Sequence, residues 1–150
     1  MKINREILTS AMKNSISNVL ETMFFLPVDF NDSVPLNELW DPDKDKIIAA
    51  RLDFDGPLSG YCTLCIPEKL SVSITADFMG KEEQDISNEQ ARGTLMEINN
   101  MIVGNVFSLY DPEAVFDLGV PKLVGLDDFR KDFNDSEDRI SIAIFLNDLN

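Results

Sequence analysis

The sequence predicts an α+β fold, in which an antiparallel-rich sheet packs against two long helices. Two stretches, about Asn4 to Phe25 and Ser87 to Tyr110, carry apolar residues at helical spacing. Two others, Ile47 to Phe54 and Ile140 to Leu146, place an apolar residue at every second position, as half-buried strands do. No linker or low-complexity stretch divides the chain, so a single domain spanning 1–150 is expected.

The first predicted element is an amphipathic helix that ends before Pro27, because proline cannot continue a helix. Its apolar face consists of Leu8, Met12, Ile16, Val19 and Met23. A polar connection, Asp29 to Lys46, leads to the first strand, Ile47 to Phe54. Asp55-Gly56-Pro57 is a turn sequence, so Leu58 to Ile66 is expected to return as the second strand of a hairpin.

Two more helices are predicted in the middle of the chain. One runs from Pro67 to Met79, with Gly80 as its C-cap. The other begins at Ser87-Asn88-Glu89-Gln90, which has capping-box spacing, and ends near Tyr110 because Asp111-Pro112 follows. The remaining predicted elements are strands at Ala114 to Leu118, Leu123 to Phe133 and Ile140 to Leu146, with a hairpin loop at Asn134 to Asp138.

Composition excludes several classes of function. The formal charge of −14 disfavours nucleic acid and anionic membranes, so a basic patch on another protein is the more plausible partner. The chain has no histidine, which excludes Ser-His-Asp and Cys-His catalysis and His-ligated metals. The N-terminus lacks the apolar core of a signal peptide, and the richest apolar stretch, Val19 to Val28, is too short to span a membrane. A cytoplasmic protein without membrane insertion is therefore expected.

Three patterns that suggest metal or nucleotide sites fail for physical reasons. Cys62 and Cys65 have CxxC spacing, but no second cysteine pair or histidine completes a zinc site. On a strand, residues three apart lie roughly 10 Å apart on opposite faces, so two reduced cysteines are expected. The acidic loops that begin at Asp41 and Asp132 lack the closing Glu of a calcium loop. The glycines form no nucleotide-binding motif, so neither a metal nor a nucleotide site is predicted.

The long helix predicted from Ser87 to Tyr110 has two contrasting faces. Its apolar stripe consists of Ala91, Leu95, Ile98, Ile102, Val106 and Leu109. The opposite face carries Gly93, Glu97, Asn100 and Gly104. Glycine costs roughly 1 kcal/mol in a helix interior, so two of them beside an acid and an amide indicate that something approaches closely. The plainer interpretation is an ordinary solvated face, with glycines that pack against the first helix.

The sequence of this helix resembles a known family. The run from Glu97 to Asn105, followed by Leu118-Gly119-Val120-Pro121-Lys122-Leu123-Val124, is similar to the CheC/CheX family of chemotaxis phosphatases. That family has Glu-x-x-Asn, often continued as Asn-Met-Ile-x-Gly-Asn, and a proline about twenty residues later that opens a strand. Ser17 to Met23 resembles the first helix of CheX. The resemblance implies a CheC-like two-layer fold and is stronger to CheX than to the two-site CheC type.

The chain departs from the family pattern at three points. Gly93 stands where the family often has Asp or Ser, four residues before the Glu. The spacing between Asn100 and the proline is slightly shorter than the family's. Ser15 and Asn18 stand where a second Glu-x-x-Asn would fall, and the missing acid indicates one functional site per chain.

The resemblance implies a phosphatase that hydrolyses the phospho-aspartate of a CheY-like response regulator. In that role Asn100 would orient the attacking water, because a carboxamide both donates and accepts hydrogen bonds. Glu97 would pair with a lysine of the receiver domain, and Gly93 and Gly104 would let the helix approach it closely. The phosphatase would need no cofactor of its own, since the phosphorylated receiver supplies Mg²⁺.

Two other functions stay open at this point. One is a non-catalytic CheC-like adaptor that binds a receiver, flagellar or chemoreceptor component, which Gly93 favours. The other is a structural dimerisation module that leaves the Glu97/Asn100 face unused. The resemblance also implies a homodimer that pairs through its sheets, and the alternating final strand is compatible with such pairing.

Overall fold

The computed structural model of the chain describes residues 4–31, 39, 46–125 and 139–146. Its elements in chain order are α1 (Arg5–Phe24), β1 (Val28–Phe30), β2 (Ile47–Asp55), β3 (Gly60–Pro67), α2 (Glu68–Met79), α3 (Asn88–Tyr110), β4 (Asp117–Leu118), β5 (Lys122–Val124) and β6 (Ile144–Leu146). A short 3₁₀ turn, Glu83–Asp85, precedes α3. The acidic parts of both loops compared with calcium sites lie outside the described residues. So do most of the predicted polar connection, most of the strand predicted at 123–133 and the hairpin loop predicted at 134–138.

The helices begin and end where local sequence chemistry predicts. Asn4 caps α1, since its side-chain oxygen accepts a hydrogen bond from the Ile7 N–H at 3.1 Å. Gly80 ends α2 in the left-handed conformation, with φ 66°, as predicted for a C-cap. Pro67 is a small correction: it lies at the N-cap of α2, one residue before the predicted first helical position.

The predicted hairpin is confirmed as β2 and β3, which pair antiparallel from Ile47↔Pro67 to Phe54↔Gly60. Strand β3 starts two residues later than predicted, because Leu58 and Ser59 belong to the turn. The Asp55 carboxylate accepts hydrogen bonds from the Gly56 N–H and the Ser59 hydroxyl, which hold that turn and keep the pKa of Asp55 below its usual value.

Strands β4 and β5 form the opposite edge of this sheet, and both pair antiparallel with β2. Leu118 pairs with Phe54, and Lys122 pairs with Arg51. The chain from Leu118 to Lys122 is therefore one residue longer than the stretch of β2 from Arg51 to Phe54 that it faces. The extra residue lies in the segment 119–121 between the two strands, as expected of a β-bulge, and Pro121 in this segment has no N–H to donate to a ladder. The proline that was predicted to open a strand therefore does so, immediately before β5.

Strand β1 corrects the prediction that the chain from Asp29 onward is only a polar connection. Val28 to Phe30 pairs antiparallel with β6, from Val28↔Leu146 to Phe30↔Ile144. Three residues are too few to show a period, and their partner lies more than a hundred residues away, so no local pattern predicts this strand. Strand β6 is also shorter than predicted, because only Ile144–Leu146 of the alternating segment 140–146 pairs as a strand.

Helix α3 lies at the centre of the molecule. On one side it packs against β2 and β3, where Leu95 contacts Ile48 and Ala50. On another side it packs against α1 and α2 and contributes Ile98, Ile102 and Val106 to the largest apolar cluster. The fold class is thus confirmed: it is α+β, with two layers in which antiparallel strands are covered by helices.

Candidate functional site

Helix α3 carries the predicted site residues, and its start is fixed by a complete capping box. The Ser87 hydroxyl accepts a hydrogen bond from the Gln90 N–H at 3.0 Å, and the Gln90 side-chain oxygen accepts one from the Ser87 N–H at 2.9 Å. The helix then runs unbroken to Tyr110. These two hydrogen bonds set the register in which every later side chain of α3 faces the core or the solvent.

The predicted apolar stripe is buried except at its end. Five of its six members are between 1 and 6% exposed: Ala91, Leu95, Ile98, Ile102 and Val106. The prediction is wrong for Leu109, which is 46% exposed. Its side chain lines a shallow cleft of about 350 Å³ against the first turns of α1. The buried face is also wider than predicted, since Val103 and Phe107 contact Leu52 of the sheet.

The structure brings Glu97 and Asn100 together on the less buried face of α3. The Glu97 side chain is exposed and Asn100 is half-buried, one helical turn apart. Within the described part of the chain, neither the carboxylate of Glu97 nor the carboxamide of Asn100 has a hydrogen-bond or ion-pair partner. Both polar groups are therefore available to a molecule that approaches from outside.

The two glycines on this face are not required by internal packing. A Cβ added at Gly93 would meet no atom within 4 Å, and one added at Gly104 would meet only Leu118 Cδ1 at 3.8 Å, an ordinary contact distance. The glycines therefore do not pack against the first helix, and the open space beside them fits both an ordinary solvated face and an approaching partner. The exposed side chain of Leu118 lies next to Gly104, and therefore beside the Glu97/Asn100 face.

A further residue holds α3 on the sheet, and sequence reasoning missed it. Asn99 is 1% exposed, and its side-chain Nδ2 donates to the carbonyl oxygens of Ala50 at 3.2 Å and Cys62 at 3.3 Å. These acceptors belong to β2 and β3, so the side chain of Asn99 joins both strands to α3. Asn99 is also the residue immediately before Asn100. Its position in α3 could have indicated this, because Leu95 and Ile102 flank it within the apolar stripe and a polar group there needs partners.

The first helix does not offer a second copy of the site. Ser15, which aligns with Glu97, is fully buried, and its hydroxyl has no hydrogen-bond partner among the described residues. Asn18, which aligns with Asn100, is exposed. A buried hydroxyl cannot replace an exposed carboxylate, so α1 does not reproduce the Glu97/Asn100 pair at the aligned positions.

Cys62 and Cys65 are not joined by a disulfide bond, as the sequence predicts. Burial raises the pKa of the Cys62 thiol to about 11. Burial and the neighbouring Cys62 raise the pKa of Cys65 to about 12. A neutral thiol is a weaker nucleophile and metal ligand than a thiolate, so these pKa shifts lower the reactivity of both cysteines.

The described residues contain neither a metal-binding cluster nor a membrane-spanning helix. No group of three or more Cys, Asp or Glu side chains in the ranges given above could hold a metal ion. None of the helices described there has the length and apolar character that crossing a membrane requires.

Comparison with known proteins gives a consistent set of relatives. The model of the family "Chemotaxis phosphatase CheX" matches residues 48–145, which is more than half of the chain and includes all of α3. The crystal structure of the chemotaxis protein CheX from Vibrio vulnificus superposes with a TM-score of 0.62 at 22% identity, covering 82% of this chain and 77% of that one. No curated protein matched the chain.

Two other solved structures are similar over more of the chain. CheX in the CheX-CheY-BeF3-Mg²⁺ complex from Borrelia burgdorferi gives a TM-score of 0.62 at 15% identity, covering 91% of this chain and 86% of that one. FliY of Thermotoga maritima gives 0.59 at 15% identity, covering 100% and 88%. At these identities the structural likeness establishes the two-layer fold alone.

Proposed function

Since the chain belongs to the CheX family of chemotaxis phosphatases, we propose that it hydrolyses the phospho-aspartate of a CheY-like response regulator. The observation that carries the proposal is the pair formed by Glu97 and Asn100 on the open face of α3. Both side chains are accessible, both lack a partner among the described residues, and they lie side by side in the segment that the family model matches.

Asn100 positions the attacking water in this proposal. The acyl phosphate of a receiver is already reactive, and what its hydrolysis lacks is a water held in line with the leaving oxygen. A carboxamide offers both a donor and an acceptor, so it can hold a water without acting as a strong base. Asn100 is half-buried in the middle of a continuous helix, so less conformational entropy is lost when its side chain holds the water.

Glu97 binds a lysine of the receiver. Its carboxylate is exposed, and the lysine's ammonium group would meet it at the edge of the interface. The two residues are one turn apart on the same face, so this ion pair fixes the rotation of the helix relative to the receiver and thereby aims Asn100 at the phosphoryl group.

The shape of α3 permits close approach. Gly93 lies one turn before Glu97 and Gly104 one turn after Asn100, so no side chain projects at either position. The exposed Leu118, which lies beside Gly104, adds apolar surface at one end of the same face. The protein contributes no cofactor of its own, and the Mg²⁺ that neutralises the phosphoryl oxygens belongs to the receiver.

A homodimer in the cytoplasm is part of the same proposal, on the strength of the family resemblance. Sedimentation velocity measures the assembly directly. A monomer at micromolar concentration would remove the dimer from the proposal and leave the catalytic assignment as it stands.

The decisive experiment follows loss of phosphate from a purified receiver that has been phosphorylated with acetyl phosphate in the presence of Mg²⁺. Wild-type protein should accelerate the loss, and Asn100→Ala should reduce the acceleration by about 10² or more. The matched control is Asn18→Ala, which removes an exposed amide of the same kind from α1 and should change nothing. No acceleration across several CheY-like receivers would refute the phosphatase, and full activity of Asn100→Ala would refute the assigned mechanism.

The second candidate is a non-catalytic adaptor that binds a receiver, a flagellar component or a chemoreceptor component. Gly93 favours it, because the family often has Asp or Ser at that position and the open space around Gly93 could accommodate either. Tight binding of a phosphorylated receiver, without faster loss of phosphate, would identify the adaptor.

A further inference from the structure

Helix α1 ends on an unusual residue. Phe25 adopts the left-handed conformation, with φ 56° and ψ 36°, and it is the one described non-glycine residue with a positive φ. Its backbone N–H and that of Leu26 both donate to the carbonyl of Leu20, the latter at 2.9 Å, so the cap geometry is held firmly. The side chain is 82% exposed.

The chain itself provides a comparison. Helix α2 ends in nearly the same conformation, with φ 66° and ψ 36°, and there the residue is Gly80. A residue with a Cβ is less stable than glycine in the left-handed conformation, and an exposed phenyl ring leaves its apolar surface in water. Phenylalanine at position 25 therefore lowers the stability of the isolated chain in two ways, through its backbone conformation and through its exposed ring. No contact among the described residues offsets this loss.

Exposed apolar residues adjoin a contact between the ends of α1 and α2. The Phe24 ring contacts the Phe78 ring, with centroids 4.9 Å apart, which joins the two helix ends. Next to these two rings in the chain, the exposed apolar residues are Met23, Phe25 and Met79; together with the exposed Phe78 they are here called the Phe25 patch. Methionine and phenylalanine together make a surface that is strongly apolar and can adapt its shape to a ligand.

The surroundings of the Phe25 patch are acidic. Glu21 lies one turn before Phe25 on α1, and Asp77 precedes Phe78 on α2; both are exposed. The 3₁₀ turn Glu83–Asp85, which packs against α2, adds further exposed carboxylates, and Lys81 is the single cation between residues 77 and 89. This charge repels a second copy of the same surface and an anionic membrane, and it attracts a cationic partner.

We infer that the Phe25 patch is a docking site for an amphipathic segment of another protein, with apolar anchors on one face and basic residues around them. The exposed rings and thioethers take the anchors, and the surrounding carboxylates pair with the basic residues. Contact with the segment removes the phenyl ring of Phe25 from water, which offsets the cost of having it there. The site is assigned to residues that the phosphatase proposal does not use.

The test uses a fluorescent model peptide of about 18 residues, with leucines on one helical face and lysines on the other. Binding to the wild-type chain should be measured by fluorescence anisotropy at low and high salt. Phe25→Gly should weaken binding at least about tenfold, while the thermal midpoint stays equal or rises because the strained conformation is relieved. Glu21→Lys should also weaken binding, and most strongly at low salt.

Two controls make the result specific. Val120→Ser removes an equally exposed apolar side chain outside the patch, where Val120 is 86% exposed, and should leave binding unchanged. A peptide of the same composition in scrambled order should bind weakly. Equal binding by Phe25→Gly, or by the scrambled peptide, would overturn the inference.

Two further outcomes would assign the patch to a different occupant and overturn the inference as well. One is self-association of the wild type that Phe25→Gly abolishes in sedimentation. The other is Phe25-dependent binding to vesicles of phosphatidylcholine and phosphatidylglycerol. None of these assays involves phosphate transfer, so their results are independent of whether the protein is a phosphatase.

Discussion

Glu97 and Asn100 have different tasks in the proposed reaction, so their substitutions should have different kinetic effects. Glu97→Gln keeps the shape of the side chain and removes the charge that pairs with the receiver's lysine. We expect it to raise KM for the phosphorylated receiver about tenfold and to change kcat little, because the positioned water depends on Asn100. Steady-state phosphate release over a range of receiver concentrations separates the two parameters.

The salt dependence of Glu97→Gln provides the check on this assignment. Loss of an exposed ion pair should make KM less sensitive to ionic strength than in the wild type. Glu89→Gln is a suitable control, because Glu89 is also exposed on α3 but lies in its first turn. A fall in kcat at unchanged KM would instead place Glu97 in the chemical step.

Asn99 should matter for stability rather than for contact with the receiver. Replacement by leucine removes the donor that joins β2 and β3 to α3 and leaves the carbonyls of Ala50 and Cys62 without it. The expected cost is about 1–3 kcal/mol in the free energy of unfolding, measured by urea denaturation. Asn105→Leu, at a half-buried position of the same helix, is the comparison, and an equal loss in both variants would contradict the assignment.

The neighbouring residues Asn99 and Asn100 illustrate what the sequence reveals about a site. Residue periodicity correctly separated Asn100 from the apolar stripe, because the helix is regular and its register is set by Ser87 and Gln90. It did not reveal that Asn99 is buried against the sheet. That burial depends on two strands which contact α3 only in the folded chain.

At the scale of whole elements, those fixed by interactions between residues close in sequence are predicted accurately, and those fixed by distant partners are not. The helices α1, α2 and α3 were predicted within one or two residues, because caps, prolines and the 3.6-residue period act within a few residues. The β2–β3 hairpin was predicted for the same reason. Strand β1 was missed and β6 was overestimated, because the length of each is decided by pairing with the other across the chain.

Helix α3 itself should show a trade between stability and function at Gly93. Gly93→Ala adds a methyl group where nothing lies within 4 Å and removes the entropic cost of glycine. The free energy of unfolding should therefore rise by about 0.5–1 kcal/mol, while the side chain that now projects beside Glu97 weakens binding of the receiver. Urea denaturation and receiver titration measure the two effects.

Gly104→Ala is the internal comparison for this prediction. The added methyl group would contact Leu118 at an ordinary distance, so the same gain in stability is expected there. If both variants bind the receiver as the wild type does, close approach to the glycine face is not part of recognition. The Glu97/Asn100 pair would then act without help from its surroundings.

At the scale of the whole molecule, α3 connects the site to the stability of the fold. The helix that presents Asn100 also packs against β2, β3, α1 and α2, so the site cannot lose its geometry while the core stays intact. The partly buried thiols of β3 lie on the sheet that α3 covers, and they therefore report on the same cooperative unit.

Stability should decrease in alkaline solution because of these thiols. An ordinary thiol pKa is 9.0, whereas burial raises that of Cys62 to about 11 and that of Cys65 to about 12. Between these values the unfolded chain releases protons that the folded chain retains, so the free energy of unfolding falls as pH rises above about 9. Each thiol contributes at most about 1.4 kcal/mol per pH unit in that window.

Urea denaturation at several pH values, with a Cys62→Ala, Cys65→Ala double variant as the reference, isolates this contribution from tyrosines and lysines that titrate nearby. The wild type should lose stability more steeply than the double variant above about pH 9, and the two should run parallel below it. Alkylation by iodoacetamide near pH 8 should be slow for the folded protein and should accelerate with urea in step with global unfolding. Rapid alkylation of the native protein would mean that β3 opens without unfolding of α3. In that case the sheet beneath the site would not unfold cooperatively with the helix that carries it.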